Sequence, residues 1–223
     1  MQVAEITDKD QAGKFGPLKG KCCVKPGESI KGTYFLGGAG LNGIYIPKLI
    51  DAFHQAGINS AIHLDREKWS AGQGMDASIG VFFGREIDPR FPMLLRAYPN
   101  SHKQFNLIGY SYGSLIAAQL AAKYARRGSN VDHLVLIGSP ISDNFLKILQ
   151  GMNTIKKVIV INLSQHGDPL YAGMEASEIV MNSVQLFLQM QDSRGHFYYA
   201  KEGSEGDTRR KELAEELYKL GLR

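Results

Sequence analysis

Short apolar runs alternate with amphipathic stretches along the chain, and this alternation predicts strands and helices in turn. Strands are expected at residues 33–36, 59–64, 105–108, 131–137 and 157–163. Helices are expected at residues 44–56, 89–98, 112–127, 142–149 and 207–220. Strands that alternate with helices favour an α/β fold with a doubly wound, mostly parallel sheet and helices on both faces. The carboxyl ends of the strands then share one edge, where ligands of such sheets bind.

The pattern predicts a single domain over residues 1–223, because this length supports one sizeable core. Residues 1–31 are expected to form an irregular lead-in. Residues 66–92 combine aromatic residues and glycines without a clear period, and we expect a lid-like segment there. Cys22 and Cys23 are adjacent, a spacing that disfavours a disulfide between them and fits a reducing compartment.

Composition is that of an ordinary globular protein, with 43% hydrophobic and 22% charged residues. The net charge of +4 is only mildly basic. It would help at an anionic membrane surface but lacks the dense basic stripe of a nucleic-acid binder. The basic clusters at 126–127 and 209–211 are predicted to be solvated. We find no signal peptide and no apolar run of about 18 residues, so we expect no transmembrane segment and a protein that is cytoplasmic or exported without a Sec signal.

The sharpest local motif is GYSYG at residues 109–113, a G-x-S-x-G between a predicted strand and a strongly amphipathic helix. A serine on such a sharp turn projects its hydroxyl above the edge of the sheet. Gly109 and Gly113 are needed there because side chains would collide with the neighbouring backbone. The motif therefore predicts that Ser111 is a nucleophile, the alternative being a glycine-rich turn capped by a serine.

This region resembles the nucleophile elbow of the α/β-hydrolase superfamily of esterases, lipases and thioesterases, bacterial lipase effectors among them. The similarity in element order covers roughly residues 32–200. It implies a catalytic acid after the second strand beyond the elbow, where Asp168 lies, with Asp143 as the alternative acid. It also implies a late histidine as general base, which matches His196, with His166 as a rival.

The glycine loop GAGLNG at residues 38–43 supports two interpretations. In a hydrolase, the N–H of Ala39 would complete an oxyanion hole with the N–H of Tyr112. Alternatively, the loop matches the dinucleotide fingerprint G-x-G-x-x-G, and Asp65 would then bind ribose in a Rossmann-like oxidoreductase. The hydrolase interpretation accounts for all the predicted site residues with one mechanism that needs no cofactor and no metal. A non-catalytic α/β interaction domain is the third alternative.

Aromatic residues suggest an apolar acyl-binding pocket, although they could equally be ordinary core. The residues concerned are Trp69, Phe82, Phe83, Phe91, Tyr110, Tyr112, Leu170 and Tyr171. We therefore expect an ester or lipid substrate, including phospholipid at a membrane surface, while thioesters and amides remain open.

Overall fold

The structure is a computed structural model, and it describes residues 30–38, 45–64, 102–175, 177–179, 181–182 and 195–223. Several predictions fall outside these described residues. They concern most of the lead-in, the Cys22–Cys23 pair, the lid-like segment at 66–92, the helix at 89–98, and residues 39–43 and Asp65 of the dinucleotide interpretation.

A five-stranded parallel sheet forms the centre of the described part of the chain. Its strands are β1 (Gly32–Leu36), β2 (Ala61–His63), β3 (Phe105–Tyr110), β4 (His133–Ile137) and β5 (Val158–Ile161). The strands lie in the order β2-β1-β3-β4-β5, and every neighbouring pair is parallel. The chain leaves β1 toward β2 and later returns to the other side of β1. The strand order therefore reverses between β1 and β3, which is where open α/β sheets bind their ligands.

Helices cover both faces of the sheet because successive strand residues point to opposite sides. Helices α2 (Tyr112–Arg126) and α3 (Asp143–Gln150) share one apolar cluster with Leu107 and Leu134. Helices α1 (Tyr45–Gln55) and α4 (Gly203–Lys219) share the other with Ile108 and Val135. The alternation of these neighbours between the two clusters is what a sheet buried on both faces requires.

The predicted element order holds in the described residues, with shifted ends. Strand β3 runs two residues further than predicted, to Tyr110, whereas β2 and β5 are shorter than predicted. Helix α4 begins at Gly203 rather than at residue 207. A Cβ at Gly206 would lie 1.8 Å from the carbonyl oxygen of Lys201, so this glycine permits a close approach in the first turn of α4.

The prediction that the basic cluster at 209–211 is solvated is wrong at Arg210, which is only 1% exposed. Its guanidinium donates to the carbonyl oxygens of Tyr199 and Lys201, both at 2.8 Å, and pairs with Asp207 at 2.6 Å. Burial is tolerated because these acceptors replace water. Across the described segments, no helix is both long enough and apolar enough to cross a bilayer.

Candidate functional site

Ser111 lies on the turn that joins β3 to α2, at the carboxyl edge of the sheet. Its backbone has φ 56° and ψ −129°, and no other non-glycine among the described residues has a positive φ. Such a conformation costs on the order of 1–3 kcal/mol and persists only where the surroundings impose it. The Ser111 N–H donates to the carbonyl oxygen of Ile137 at 2.8 Å, and its own carbonyl accepts from the N–H of Ser114 at 2.9 Å. The turn thus fixes a partly exposed hydroxyl.

The two glycines of the motif permit this turn sterically, as the sequence predicts. A Cβ on Gly109 would lie 2.2 Å from Cα of Ser114, inside the first turn of α2. A Cβ on Gly113 would lie 2.2 Å from the carbonyl oxygen of Leu36 and 2.4 Å from that of Gly37. All three distances are far below van der Waals contact. Helix α2 therefore packs directly against the chain that leaves β1.

The structure brings Ser111, His196 and Asp168 together in one hydrogen-bonded series. Nε2 of His196 lies 2.5 Å from Oγ of Ser111, and Nδ1 of the same ring lies 2.8 Å from Oδ2 of Asp168. His196 and Asp168 are 1% and 4% exposed. An ionised carboxylate only accepts, so Nδ1 carries the hydrogen and Nε2 faces the hydroxyl as an acceptor. The second oxygen of Asp168 accepts from the N–H of Leu170 at 2.9 Å, which holds the carboxylate in place.

Different elements position these three side chains. Asp168 follows β5 and a 3-10 helix at Ser164–His166, so its loop starts from the same sheet edge as Ser111. His196 is the second residue of a 3-10 segment at Gly195–Ala200. This largely buried segment packs His196 against β3, where its ring stacks on that of Tyr110.

Gly138, which the sequence analysis did not single out, makes room for the histidine and the acid. It directly follows β4 with φ 51°, and a Cβ there would lie 3.0 Å from Oδ2 of Asp168. The same Cβ would lie 3.3 Å from Nδ1 and Cε1 of His196. One sequence signal could have revealed this role: Gly138 directly follows β4, the strand that neighbours β3 and its serine turn.

Tyr110 was predicted to line an acyl pocket, but the structure buries it behind His196. Its hydroxyl donates to the carbonyl oxygen of His196, and the two rings stack with centroids 5.9 Å apart. Burial, and secondarily the nearby Tyr45 and Asp168, raise the pKa of Tyr110 well above its ordinary value. Its hydroxyl therefore stays protonated and remains a donor at neutral pH.

The rival acid and histidine lie apart from this series. Asp143 begins α3 and forms an exposed ion pair with Lys147 at 2.6 Å. The ring of His166 stacks on that of Tyr198, with centroids 3.6 Å apart. Neither side chain is brought to Ser111 in the manner of Asp168 and His196.

The remaining predicted site residues divide between described and undescribed parts of the chain. Tyr112 is the first residue of α2, so its N–H lies at the positive end of the helix dipole. Ala39 lies outside the described residues, as do Trp69, Phe82, Phe83 and Phe91. Tyr112 and Leu170 belong to the apolar core, whereas Tyr171 is partly exposed. Within the ranges that the structure describes, no cluster of three or more His, Cys, Asp or Glu is arranged to hold a metal ion.

Comparison with known proteins gives one family match. A family model described as alpha/beta hydrolase fold matches residues 98–188, a stretch that contains Ser111 and Asp168 but not His196. The match supports assignment of the chain to the α/β-hydrolase superfamily, so the predicted resemblance and fold class are confirmed. The fold family indicates a hydrolase. No curated protein and no solved structure gives a significant match to the chain.

Proposed function

We propose that the protein is a serine hydrolase of carboxylic esters, with Ser111 as nucleophile, His196 as general base and Asp168 as the acid that orients the imidazole. One observation carries this proposal. It is the unbroken pair of hydrogen bonds, 2.8 Å and 2.5 Å long, that links Oδ2 of Asp168 through the His196 ring to Oγ of Ser111. A nucleophile within reach of a base, itself held by a third group, is the arrangement that acyl transfer requires.

The reaction follows from these positions. Oγ of Ser111 attacks the acyl carbonyl while Nε2 of His196 accepts its proton, and Asp168 stabilises the imidazolium that forms. The tetrahedral intermediate then collapses. Its C–O bond to the leaving alcohol breaks, and His196 returns the proton to that alcohol. In the second half, the same imidazole takes a proton from water, which attacks the carbonyl of the acyl-enzyme. The C–O bond to Oγ of Ser111 then breaks, the carboxylic acid leaves, and His196 returns the proton to Oγ of Ser111.

The oxyanion of the tetrahedral intermediate would be bound by the N–H groups of Tyr112 and Ala39. The position of Tyr112 at the N-terminus of α2 supports the first donor, because the helix dipole favours negative charge there. The packing of Gly113 against the carbonyls of Leu36 and Gly37 supports the second, since the loop after β1 starts beside the elbow. The position of Tyr112 directly after β3, beside the switch point of the sheet between β1 and β3, also supports this donor.

We further propose that the ester is a lipid or phospholipid. Two exposed apolar side chains, Tyr171 at 39% and Met181 at 73%, belong to segments beside the acid. The two segments touch, because Nδ2 of Asn182 donates to the carbonyl of Pro169 at 3.0 Å. Apolar surface next to a reactive edge suits an acyl chain. The net charge of +4 favours an anionic lipid surface.

The test is hydrolysis of an ester series of increasing acyl length, extended to phosphatidylglycerol and phosphatidylcholine vesicles. Ser111→Ala is expected to lose about 10⁴-fold or more in kcat while its Tm stays near that of the wild type. Ser129→Ala, which changes a serine beyond the far end of α2, is the matched control and should keep full activity. Full ester turnover by Ser111→Ala would overturn the proposal. Thermal stabilisation by a dinucleotide, with no ester turnover, would favour the oxidoreductase interpretation.

The assignment of the acid has its own pair of variants. Asp168→Asn is expected to lower kcat by about 10⁴-fold, because the amide favours the wrong imidazole tautomer. Asp143→Asn breaks only the exposed pair with Lys147 and should leave kcat unchanged. The opposite ranking of these two variants in the same ester assay would make Asp143 the acid.

A further inference from the structure

A three-layer stack lies beside the proposed triad and uses none of its members. The rings of His166 and Tyr198 are nearly parallel, 13° apart, with centroids separated by 3.6 Å. The guanidinium carbon of Arg209 lies 4.0 Å from the centroid of the same Tyr198 ring. Two groups this close to one centroid cannot share a face of the ring. Tyr198 is therefore enclosed between the imidazole on one face and the guanidinium on the other.

The three members come from three different segments, two of which also carry the acid and the histidine of the site. His166 precedes Asp168 by two residues, in the 3-10 helix Ser164–His166. Tyr198 follows His196 by two residues, in the segment Gly195–Ala200. Arg209 belongs to α4, the long terminal helix. The stack thus ties the loop of the acid to the segment of the histidine, and ties both to a helix.

Helix α4 strengthens this tie through its two neighbouring arginines. Nη1 of Arg209 donates to the carbonyl oxygen of Tyr198 at 3.0 Å, and its Nη2 pairs with Glu205. The buried Arg210 donates to the carbonyl oxygen of Tyr199. Both terminal nitrogens of the Arg209 guanidinium are therefore hydrogen-bonded in its plane, which leaves its flat face to stack on the Tyr198 ring.

We propose that Tyr198, enclosed by His166 and Arg209, is a positioning residue that holds the imidazole of His196 in register with Asp168. This inference rests on the proposed function of the triad. Two short 3-10 segments have few hydrogen bonds of their own to fix their separation. A catalytic constellation nevertheless has to be held within about 0.5 Å of its productive geometry. Stacking across three segments supplies that constraint without a side chain that touches the substrate.

The experiment compares four single variants with the wild type. Tyr198→Leu keeps an apolar side chain but removes the flat ring, and Tyr198→Phe keeps the ring. His166→Leu removes the outer layer from a partly exposed 3-10 helix, where folding is not at risk. Tyr218→Leu is the matched control, because Arg223 lies 3.9 Å over the Tyr218 ring in a second arginine–tyrosine stack at the end of α4. Each protein is assayed for kcat and KM on a short soluble ester, for Tm, and for the low-field NMR signal of the His196 Nδ1 proton, which His196→Asn identifies by its loss.

Tyr198→Leu is expected to lose about tenfold in kcat with little change in KM, since a displacement well under 1 Å already carries such a cost. His166→Leu should lose severalfold, and both variants should show a weakened or broadened Nδ1 signal. Tyr198→Phe and Tyr218→Leu should match the wild type in kcat and in the signal. The inference is overturned if Tyr198→Leu and His166→Leu keep both the wild-type kcat and the wild-type Nδ1 signal. It is also overturned if Tyr218→Leu loses as much kcat as Tyr198→Leu does. Should the wild type hydrolyse no ester, the proposed function fails, and the NMR signal still decides whether the stack positions His196.

Discussion

Replacing Gly138 by alanine adds one methyl group between the end of β4 and the proposed catalytic pair. The new Cβ would lie 3.0 Å from Oδ2 of Asp168 and 3.3 Å from two atoms of the His196 ring. Those groups would have to retreat by a few tenths of an ångström. A φ of 51° also penalises any side chain, at about 1–2 kcal/mol. We therefore expect both a loss of stability and a loss of activity.

The two losses can be separated by their size. The backbone penalty alone lowers Tm by about 2–4 °C for each kcal/mol in a protein of this length. Displacement of the pair by a few tenths of an ångström is expected to lower kcat by about tenfold, because misplacement by 1 Å can cost 10²-fold. The assay measures kcat and KM on a soluble ester beside urea unfolding at the same temperature. KM should change little, since the methyl group faces the pair rather than the substrate.

Gly128→Ala provides the matched control. Gly128 has φ 82°, so alanine is strained there too, but nothing lies within 4 Å of its added Cβ. Gly167→Ala, with φ 90° and equally open space, repeats the control one residue from Asp168. Both variants should lose stability and keep kcat. Equal kcat values for Gly138→Ala and these controls would refute the view that Gly138 makes room for the pair.

Three further outcomes are expected. Tyr110→Phe leaves the carbonyl of His196 without its buried donor and should lower the free energy of unfolding by about 1–3 kcal/mol, measured in urea, together with a severalfold loss in kcat. Arg210→Met leaves two carbonyl oxygens unsatisfied and should cost about 2–4 kcal/mol in the same measurement. Burial lowers the pKa of His133, and nearby cations lower it further, although the neighbouring Asp132 acts in the opposite direction. The folded state therefore favours the neutral ring. Its contribution to stability is therefore complete above the unfolded pKa of about 6.5 and is lost as pH falls below it. The wild type should accordingly lose more unfolding free energy between about pH 7.5 and 5 than His133→Gln does.

Local patterns were sufficient to predict the sheet and the sharp turn that carries Ser111. The apolar residues of 105–108 and the amphipathic helix after them define a strand, a turn and a helix within one short stretch. The packing that requires Gly109 lies within that turn, because its Cβ would meet Ser114, whereas Gly113 is required by the close approach of the chain that leaves β1. Asp168 could be proposed because its loop follows a run of four β-branched residues, which is a plain signal of a strand.

Long-range contacts could not be predicted in this way. Gly138 matters only because His196 and Asp168 come to it from distant parts of the chain. In the sequence, Arg210 looks like an ordinary surface charge. Its burial depends on the carbonyl oxygens of Tyr199 and Lys201, and the sequence does not show that these lie next to it. Tyr110 sits beside Ser111 in sequence, but the alternation of β3 turns its ring to the face of α1 and α4, away from the helix that Ser111 precedes.

The most direct test of the central claim is the mass of the protein after reaction with a fluorophosphonate, followed by peptide mapping. The account predicts one adduct per chain, located on Ser111, formed rapidly by the wild type and very slowly by His196→Asn. An unmodified wild-type chain, or an adduct on another residue that forms equally fast without His196, would contradict it.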